Sequence, residues 1–383
     1  MIKELDYRLS MITVQLFSPN LTARSRKNLK PSHGLDFSDA IFKNRVDFIG
    51  ATFRDEVIFR NAKFHGETNF GGSNFKKAIF AYSRFTKAKF IAATFNDNVE
   101  FYGTIFAGLA DFTGINVITC ASFRNVVFGG VTRFSEAHLG KEADFSLAQF
   151  ETPEDVTFQK CDLSKVKFKN CDLRQIRFSM VKWNRQHRFF SVPRNKVYDE
   201  ILAKPEDLEA VAELYRDLQI NFVNSYRYSQ AGDFYIGEQE MIRKRRALFW
   251  RVLSFRSLYF VASRYGESAL RPICWLVFVL ILCSGILFMN GIYLETGHPS
   301  APKSEYIDYN LDLESGQLSR LQKDFWRVFA HNIALASFYR TGPAAPRMGS
   351  WQQILIIIET ITIVSLITLF LLALKRRFRR KSF

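Results

Sequence analysis

The sequence predicts an all-β coil of short strands with four sides, followed by an α-helical hairpin and two transmembrane helices. Three observations carry this. A phenylalanine recurs every five or six residues from Phe37 onward, helical spacing replaces it after Pro205, and two apolar runs flanked by basic residues close the chain. With 383 residues there is room for two or three domains.

The ladder runs Phe37, Phe42, Phe48, Phe53, Phe59, Phe64, Phe70, Phe75, Phe80, Phe85, Phe90, Phe95, Phe101, Phe106 and Phe112, then through Val117 and Leu139 to Trp183. Two positions before most rungs stands a small or β-branched residue, as in Ala51, Val57, Ala62, Thr68 and Ser73. A period of five fits neither the 3.6 of a helix nor the 2 of a strand. It suits a chain that turns a corner at each unit, with the large residue in the middle and the small one letting the wall close around it. About seven coils at ~4.8 Å make a rod about 34 Å long. Six-residue steps fall at alternate units over 37–70 and 95–150, and an extra residue there is expected to bulge at a corner without moving the rungs. The longer step from Phe150 to Phe158, through "ETPED", predicts a small loop insertion.

This pattern resembles the pentapeptide-repeat family, whose motif centres on Leu or Phe with Ala, Cys, Ser, Thr or Val two positions earlier. The stretch "CDLSKVKFKNCDLRQIRF", 161–178, is closest to that motif. The resemblance implies a right-handed quadrilateral β-helix with four units per coil over residues 35–183. Repeat rods need capped ends, so residues 1–34 are expected to cap one end, while "WNRQHRFFSVP" after Trp183 leads away from the other. Cys161 and Cys171 sit in small-residue positions and read as core packing. Some soluble members of the family mimic DNA, which takes a strongly acidic rod; acids and bases are near balance here, so that role is not expected.

Residues 184–268 read as a helical hairpin linker. Leu208, Val211, Leu214 or Tyr215, Leu218 and Phe222 follow helical spacing. Pro205, Glu206 and Asp207 suit a first turn. The stretch "SQAGD", 229–233, is expected to break the helix, with a second starting at Phe234.

Residues 269–383 read as a membrane module. The apolar runs 272–293 and 351–374 are each long enough to cross a bilayer core of ~20 residues. The net charge of +16 has a location. Arg243, Lys244, Arg245 and Arg246 precede the first run, and Lys375, Arg376, Arg377, Arg379 and Arg380 follow the second. The positive-inside rule then places both ends in the cytoplasm, at the inner membrane of the cell, and the loop 294–350 outside. These cations also predict attraction to anionic lipid head groups; nucleic acid is not an expected partner, because no aromatic-basic motif accompanies them. Within the loop, 325–338 reads as a short re-entrant or interfacial helix. The order of span, dipping helix and span resembles two-helix ion channels, and membrane-bound pentapeptide-repeat proteins pair such a hairpin with a stretch like "AGDFYIGEQEM", 231–241. A potassium filter needs a T-V-G-Y-G-like run. Here "SFYRTGPAAP" stands in its place, with Arg340, so potassium selectivity is not expected. Glu359 lies inside the second run, where an acid is a functional candidate by default. His331 and Asn332, on the dipping helix, are the other candidate pore-lining or intramembrane polar residues.

No catalytic motif is present: no P-loop, no HExxH, no GxSxG. The five cysteines form no CxxC or Cys/His cluster. The N-terminus carries Glu4 and Asp6 and lacks the apolar core of a secretory signal. The reading is therefore not an enzyme, without cofactor, metal or catalytic residues. It is a membrane-anchored scaffold whose cytoplasmic rod serves protein interaction or sensing, with an unknown cytosolic protein as partner. The alternative is an oligomeric channel or pore of two-helix type, a homo-oligomer gated by the rod.

Overall fold

The computed structural model describes residues 34–185, 194–246, 254–289, 292–298, 301–307, 322, 325–326, 329–330, 332–333 and 350–379. The chain divides into two compact units, Met1–Ala247 and Leu248–Phe383.

The first unit is a parallel β-solenoid of about seven turns. Each short strand pairs with the strand one coil later: Ile41 with Lys63, Thr52 with Asn74, Ile105 with Val127. A coil thus takes 22 residues where five- and six-residue steps alternate. It shortens where all steps are five, as between Asn74 and Thr94, and lengthens between Thr132 and Val156 across the predicted insertion, which forms the 3₁₀ turn Pro153–Asp155. Phe53 stacks on Phe75, four rungs later, so each coil holds four units.

The phenylalanines build four columns. In one, Phe37, Phe59, Phe80, Phe101, Phe123, Phe145 and Phe168 follow each other with centroids 4.6–5.5 Å apart. A second, from Phe48 through Phe70, Phe90, Phe112 and Phe134 to Phe158, meets the first edge-on, as Phe90 meets Phe101 at 5.3 Å and 82°. Parallel offset rings along each column and edge-to-face contacts between columns are the two arrangements the ring quadrupole favours. The small residues close the walls. Some of the polar ones also bond the backbone, as Ser73 Oγ donates to the Phe70 carbonyl and Thr104 Oγ1 to that of Phe80, both at 2.7 Å.

The corners are of two kinds. After the rungs of these two columns comes a tight turn, in most cases closed by a backbone bond from the residue three on, as Ala40 N to Phe37 O and Ala51 N to Phe48 O. The residue two after the rung is left-handed, with φ between 51° and 66°. Asp39, Gly50, Asn61, Gly72, Gly103, Gly114, Asn125 and Asn170 suit that conformation. The other two columns carry no such turn, and every six-residue step follows one of their rungs. The extra residue is accommodated as expected: the register shifts between Phe53 and Glu56 and between Phe64 and Glu67, where a six-residue step lies beside a five-residue one. At the second bulge Gly66 passes so close to the previous coil that a Cβ would lie 2.4 Å from the Asn44 carbonyl carbon.

A helical hairpin covers the last coil. Helix α1, Leu208–Asn224, buries Val211, Leu214, Tyr215, Leu218 and Phe222. Helix α2, Tyr228–Lys244, begins earlier than the sequence suggests and contains "SQAGD". The break lies at 225–227, where Tyr226 is left-handed (φ 57°), Arg227 N bonds Phe222 O and Tyr226 N bonds Val223 O, a Schellman stop without glycine. Gly232 is buried within the helix, and Gly237 serves packing: a Cβ there would lie 2.6 Å from the Tyr215 ring. The expected cap at the other end of the rod, residues 1–34, lies outside the described residues except for Gly34.

In the second unit, α3 (Phe255–Ser263) leads through left-handed Arg264, Tyr265 and Gly266 into α4 (Leu270–Met289). Helix α4 stops short of residue 293. An antiparallel ribbon follows, Ile292–His298 with Ala301–Ile307, which helix-oriented reading of the loop does not anticipate. Helix α5, Ser350–Arg379, contains Ile354–Arg376, which is long and apolar enough to cross a membrane, while Leu270–Ile286 is a shorter apolar helix.

Candidate functional site

Two buried polar clusters stand out, one in each unit. The first holds the hairpin on the solenoid. Asn221 Nδ2 donates to the carbonyls of Leu173 (2.6 Å) and Ile176 (2.7 Å), and Arg227 Nη1 to that of Phe178 (2.6 Å). These are last-coil carbonyls with no further coil to pair with, and an open sheet edge left unpaired is a template for association. The aromatic columns continue into the cap, with Phe222 stacked on Phe178 and Trp183 edge-on to Phe234. From the single turn Asp199–Leu202, the Asp199 carboxylate accepts the amides of Phe168 and Lys169, each at 3.0 Å.

Behind this lies an ion-pair network. Arg194 Nη2 donates to Glu200 Oε2 (2.7 Å) and Glu240 Oε2 (2.9 Å), and its Nη1 to the Tyr215 hydroxyl, which in turn donates to Glu200 at 2.5 Å. Lys244 Nζ reaches Glu200 Oε1 at 3.3 Å, and Asn195 N donates to Asp233. Burial alone would raise the Glu200 carboxyl; Arg194, the Tyr215 hydroxyl, Lys244 and Lys196 outweigh it and hold Glu200 below the usual carboxylate range. The stretch "AGDFYIGEQEM" therefore has a structural role in this fold: Phe234 and Met241 enter the core, Gly237 meets Tyr215, and Asp233 and Glu240 hold the segment at 194–195.

Asp199 behaves in the opposite way. Burial pushes its carboxyl up to about 6, against the pull of the two amides. A raised acid stabilises the fold below its ordinary pKa of 3.8, and that contribution is lost as pH rises through about 6; the shift is worth up to about 3 kcal/mol. Asp199→Asn keeps an acceptor and cannot ionise. The stability of the variant relative to the parent is expected to rise between pH 4 and pH 7, read as amide exchange protection at Phe168 and Lys169. A difference that stays flat with pH would refute this.

The second cluster lies in the second unit. Glu359 on α5 is 4% exposed, and its Oε1 accepts Asn332 Nδ2 at 2.8 Å. The same Nδ2 lies 3.0 Å from Ser284 Oγ on α4, which is fully buried. Two of the sequence-predicted polar residues thus meet, and Ser284 joins them. A serine in an apolar run gives little signal, because small residues there ordinarily serve helix contact. His331 and the stretch 337–346 lie outside the described residues. Around the cluster the unit is inside out: Ile354, Ile357, Ile358 and Ile361 of α5 and Ile273, Val277, Phe278 and Ile281 of α4 face outward.

The predicted surface cations divide. Lys244 pairs with Glu200, Arg245 Nη1 with Glu209 at 2.9 Å, and Arg376 Nη1 donates to the Tyr265 carbonyl at 2.8 Å and pairs with Glu267. Arg243 is half-buried, and Arg246 and Lys375 are exposed. The side chains of Arg377 and Arg379, and all of Arg380, lie outside the described residues. Cys161 and Cys171 both donate to coil carbonyls, of Phe134 and Phe145, and burial pushes the Cys171 thiol up to about 12, which leaves it unreactive. Among the described residues no group of His, Cys, Asp and Glu could hold a metal ion.

Residues 33–74 match a family model described as Pentapeptide repeats (9 copies), and residues 58–97 match another described as Pentapeptide repeats (8 copies). No curated protein matches the chain.

Proposed function

We propose that this chain, a pentapeptide-repeat protein, is a membrane-anchored scaffold whose solenoid presents its outer walls to a cytosolic protein. The solenoid itself supports a protein-interaction role. Its interior is filled by rings, its end is closed by the hairpin, and its regular outer faces are what remain to be recognised. Four units per coil support a quadrilateral course, and the family implies that it is right-handed.

The observation that carries the anchoring is the inversion of the second unit. A water-soluble unit buries its apolar residues and exposes its charges. This one buries Ser284, Asn332 and Glu359 and exposes isoleucine, valine and phenylalanine along α4 and α5. In lipid that arrangement is the stable one, since an acid inside the apolar layer must face protein and find a partner. We read α5 as one span and α4 as the second, both ends of the module cytoplasmic and held by Lys375, Arg376 and the cations before α3. Glu359 and Asn332 bond each other, which favours a lock between helices over a pore lining.

The full chain is expected to stay in the membrane pellet after alkaline carbonate extraction, and a reporter at its C-terminus to read cytoplasmic. Release into the supernatant would overturn the anchoring. Liposomes holding the full chain are expected to pass no selective ion flux; a selective conductance lost in Glu359→Gln would replace the scaffold with a channel.

A further inference from the structure

Helix α3, Phe255–Ser263, lies outside both apolar runs yet repeats the inversion. Phe255, Leu258 and Val261 recur at every third position along one side, and they are 92%, 61% and 46% exposed. The buried positions of the helix are serines: Ser257 is 5% exposed and Ser263 is fully covered. Ser254 caps the start, its Oγ accepting the Ser257 amide and meeting the Ser257 hydroxyl at 3.2 Å. At the other end Ser263 Oγ donates to the Tyr259 carbonyl and accepts the Gly266 amide. Serines turned inward and a phenylalanine turned out are the reverse of a helix built for water.

Contacts within the second unit fix where α3 lies. Arg271 Nη1 donates to the Phe260 carbonyl at 3.3 Å, and Trp275 Nε1 to that of Val261 at 3.2 Å, so α3 lies against the first turns of α4. Arg376 holds the following turn through the Tyr265 carbonyl and Glu267. Arg376 is among the first charges after the apolar run of α5. The turn after α3 is therefore pinned at the level where α5 changes from apolar to basic. In a bilayer that is the boundary between acyl chains and head groups, the depth at which a short helix with one apolar face is stable.

We infer that α3 is an interfacial helix whose Phe255, Leu258 and Val261 enter the outer acyl layer of the bilayer, on the side where α5 ends. The occupant of this face is lipid. Trp275 of α4, which bonds the Val261 carbonyl, and Ile273 one half-turn before it are exposed as well. The inference rests on the membrane reading of α4 and α5. It adds a third element in contact with lipid.

The test places a photo-reactive benzophenone amino acid at Leu258 in the full chain, held in vesicles of phosphatidylethanolamine and phosphatidylglycerol. The same residue at Ile357 on α5 and at Ile220 on α1 gives the two controls. Lipid adducts are expected at Leu258 and Ile357, with those at Ile220 at least tenfold fewer. Adducts at Ile357 but not at Leu258 overturn the inference and leave the anchoring intact. No adduct at Ile357 overturns the anchoring, and the inference with it. Cross-linking of Leu258 to a second copy of the chain, in place of lipid, overturns the inference in favour of an interface between copies.

Discussion

Replacing Phe90 by alanine is expected to destabilise the first unit by about 3–5 kcal/mol, the usual range for an aromatic removed from a packed core. Phe90 is fully buried near the middle of the rod. It stacks on Phe70 at 4.9 Å and Phe112 at 5.2 Å, and meets Phe80 and Phe101 edge-on at 5.4 Å and 5.3 Å. Loss of the ring removes both neighbours of its column and both contacts across the bore, and the β-coil around it has no means of collapsing without shifting its hydrogen-bond register. Phe37, only partly buried on the first described coil, stacks in its own column on Phe59 alone among the described residues. In a quasi-one-dimensional fold an end unit loses one interface where an interior unit loses two. Phe37→Ala is therefore expected to cost less than half as much. Denaturant unfolding of the full chain in detergent, followed by the β-sheet circular dichroism, compares the two. Equal losses would contradict a column in which interior rungs carry the stability.

That column is legible in the amino-acid order itself, because two inward positions per unit leave a double signature. The corners are half legible. Asp39, Gly50, Asn61 and Gly72 announce a left-handed residue two after the rung, but Tyr82, Leu147 and Met180 occupy the same conformation without announcing it. There the turn is imposed by the neighbouring coils, for Met180 by the preceding one alone, at a cost of about 1–2 kcal/mol per residue. The hairpin shows the limit of local propensity more clearly. "SQAGD" carries a glycine and reads as a breaker, yet Gly232 lies buried inside α2, and the next glycine, Gly237, is needed where α2 approaches Tyr215. The actual stop at Tyr226 depends on bonds back into α1. The role of the hairpin as a cap is not legible, since it rests on pairs such as Asn221 with Leu173 that lie far apart in the chain. In the second unit Glu359 and Asn332 are each conspicuous as polar residues in apolar surroundings. Their meeting, with Ser284 bonded to the same Asn332 amide, is a fact of packing.

Arg194 gives the second large effect, and the sequence offers no hint of it. Arg194→Met is expected to cost about 3–5 kcal/mol, because it leaves Glu200 buried without its main counter-charge. The side chains of Arg194 and Glu200 are 3% and 5% exposed. Lys244 and Lys196 remain, at 3.3 Å and 3.7 Å, but both contact Glu200 Oε1; Oε2 keeps only the Tyr215 hydroxyl. The partner Glu240 is 19% exposed and can turn to water. The asymmetry makes the test specific. If the loss comes from an uncompensated charge and not from lost packing, removing Glu200 as well should restore stability. Arg194→Met with Glu200→Leu is expected to recover at least half of the loss, while Glu200→Leu alone costs less than Arg194→Met, since Arg194 keeps Glu240 at 2.9 Å. The midpoint of denaturant unfolding measures the cycle, and exchange protection at Phe168 and Lys169 reports whether the hairpin has left the last coil. A double variant as unstable as the single one would mean that the network holds the cap by shape, with charge incidental.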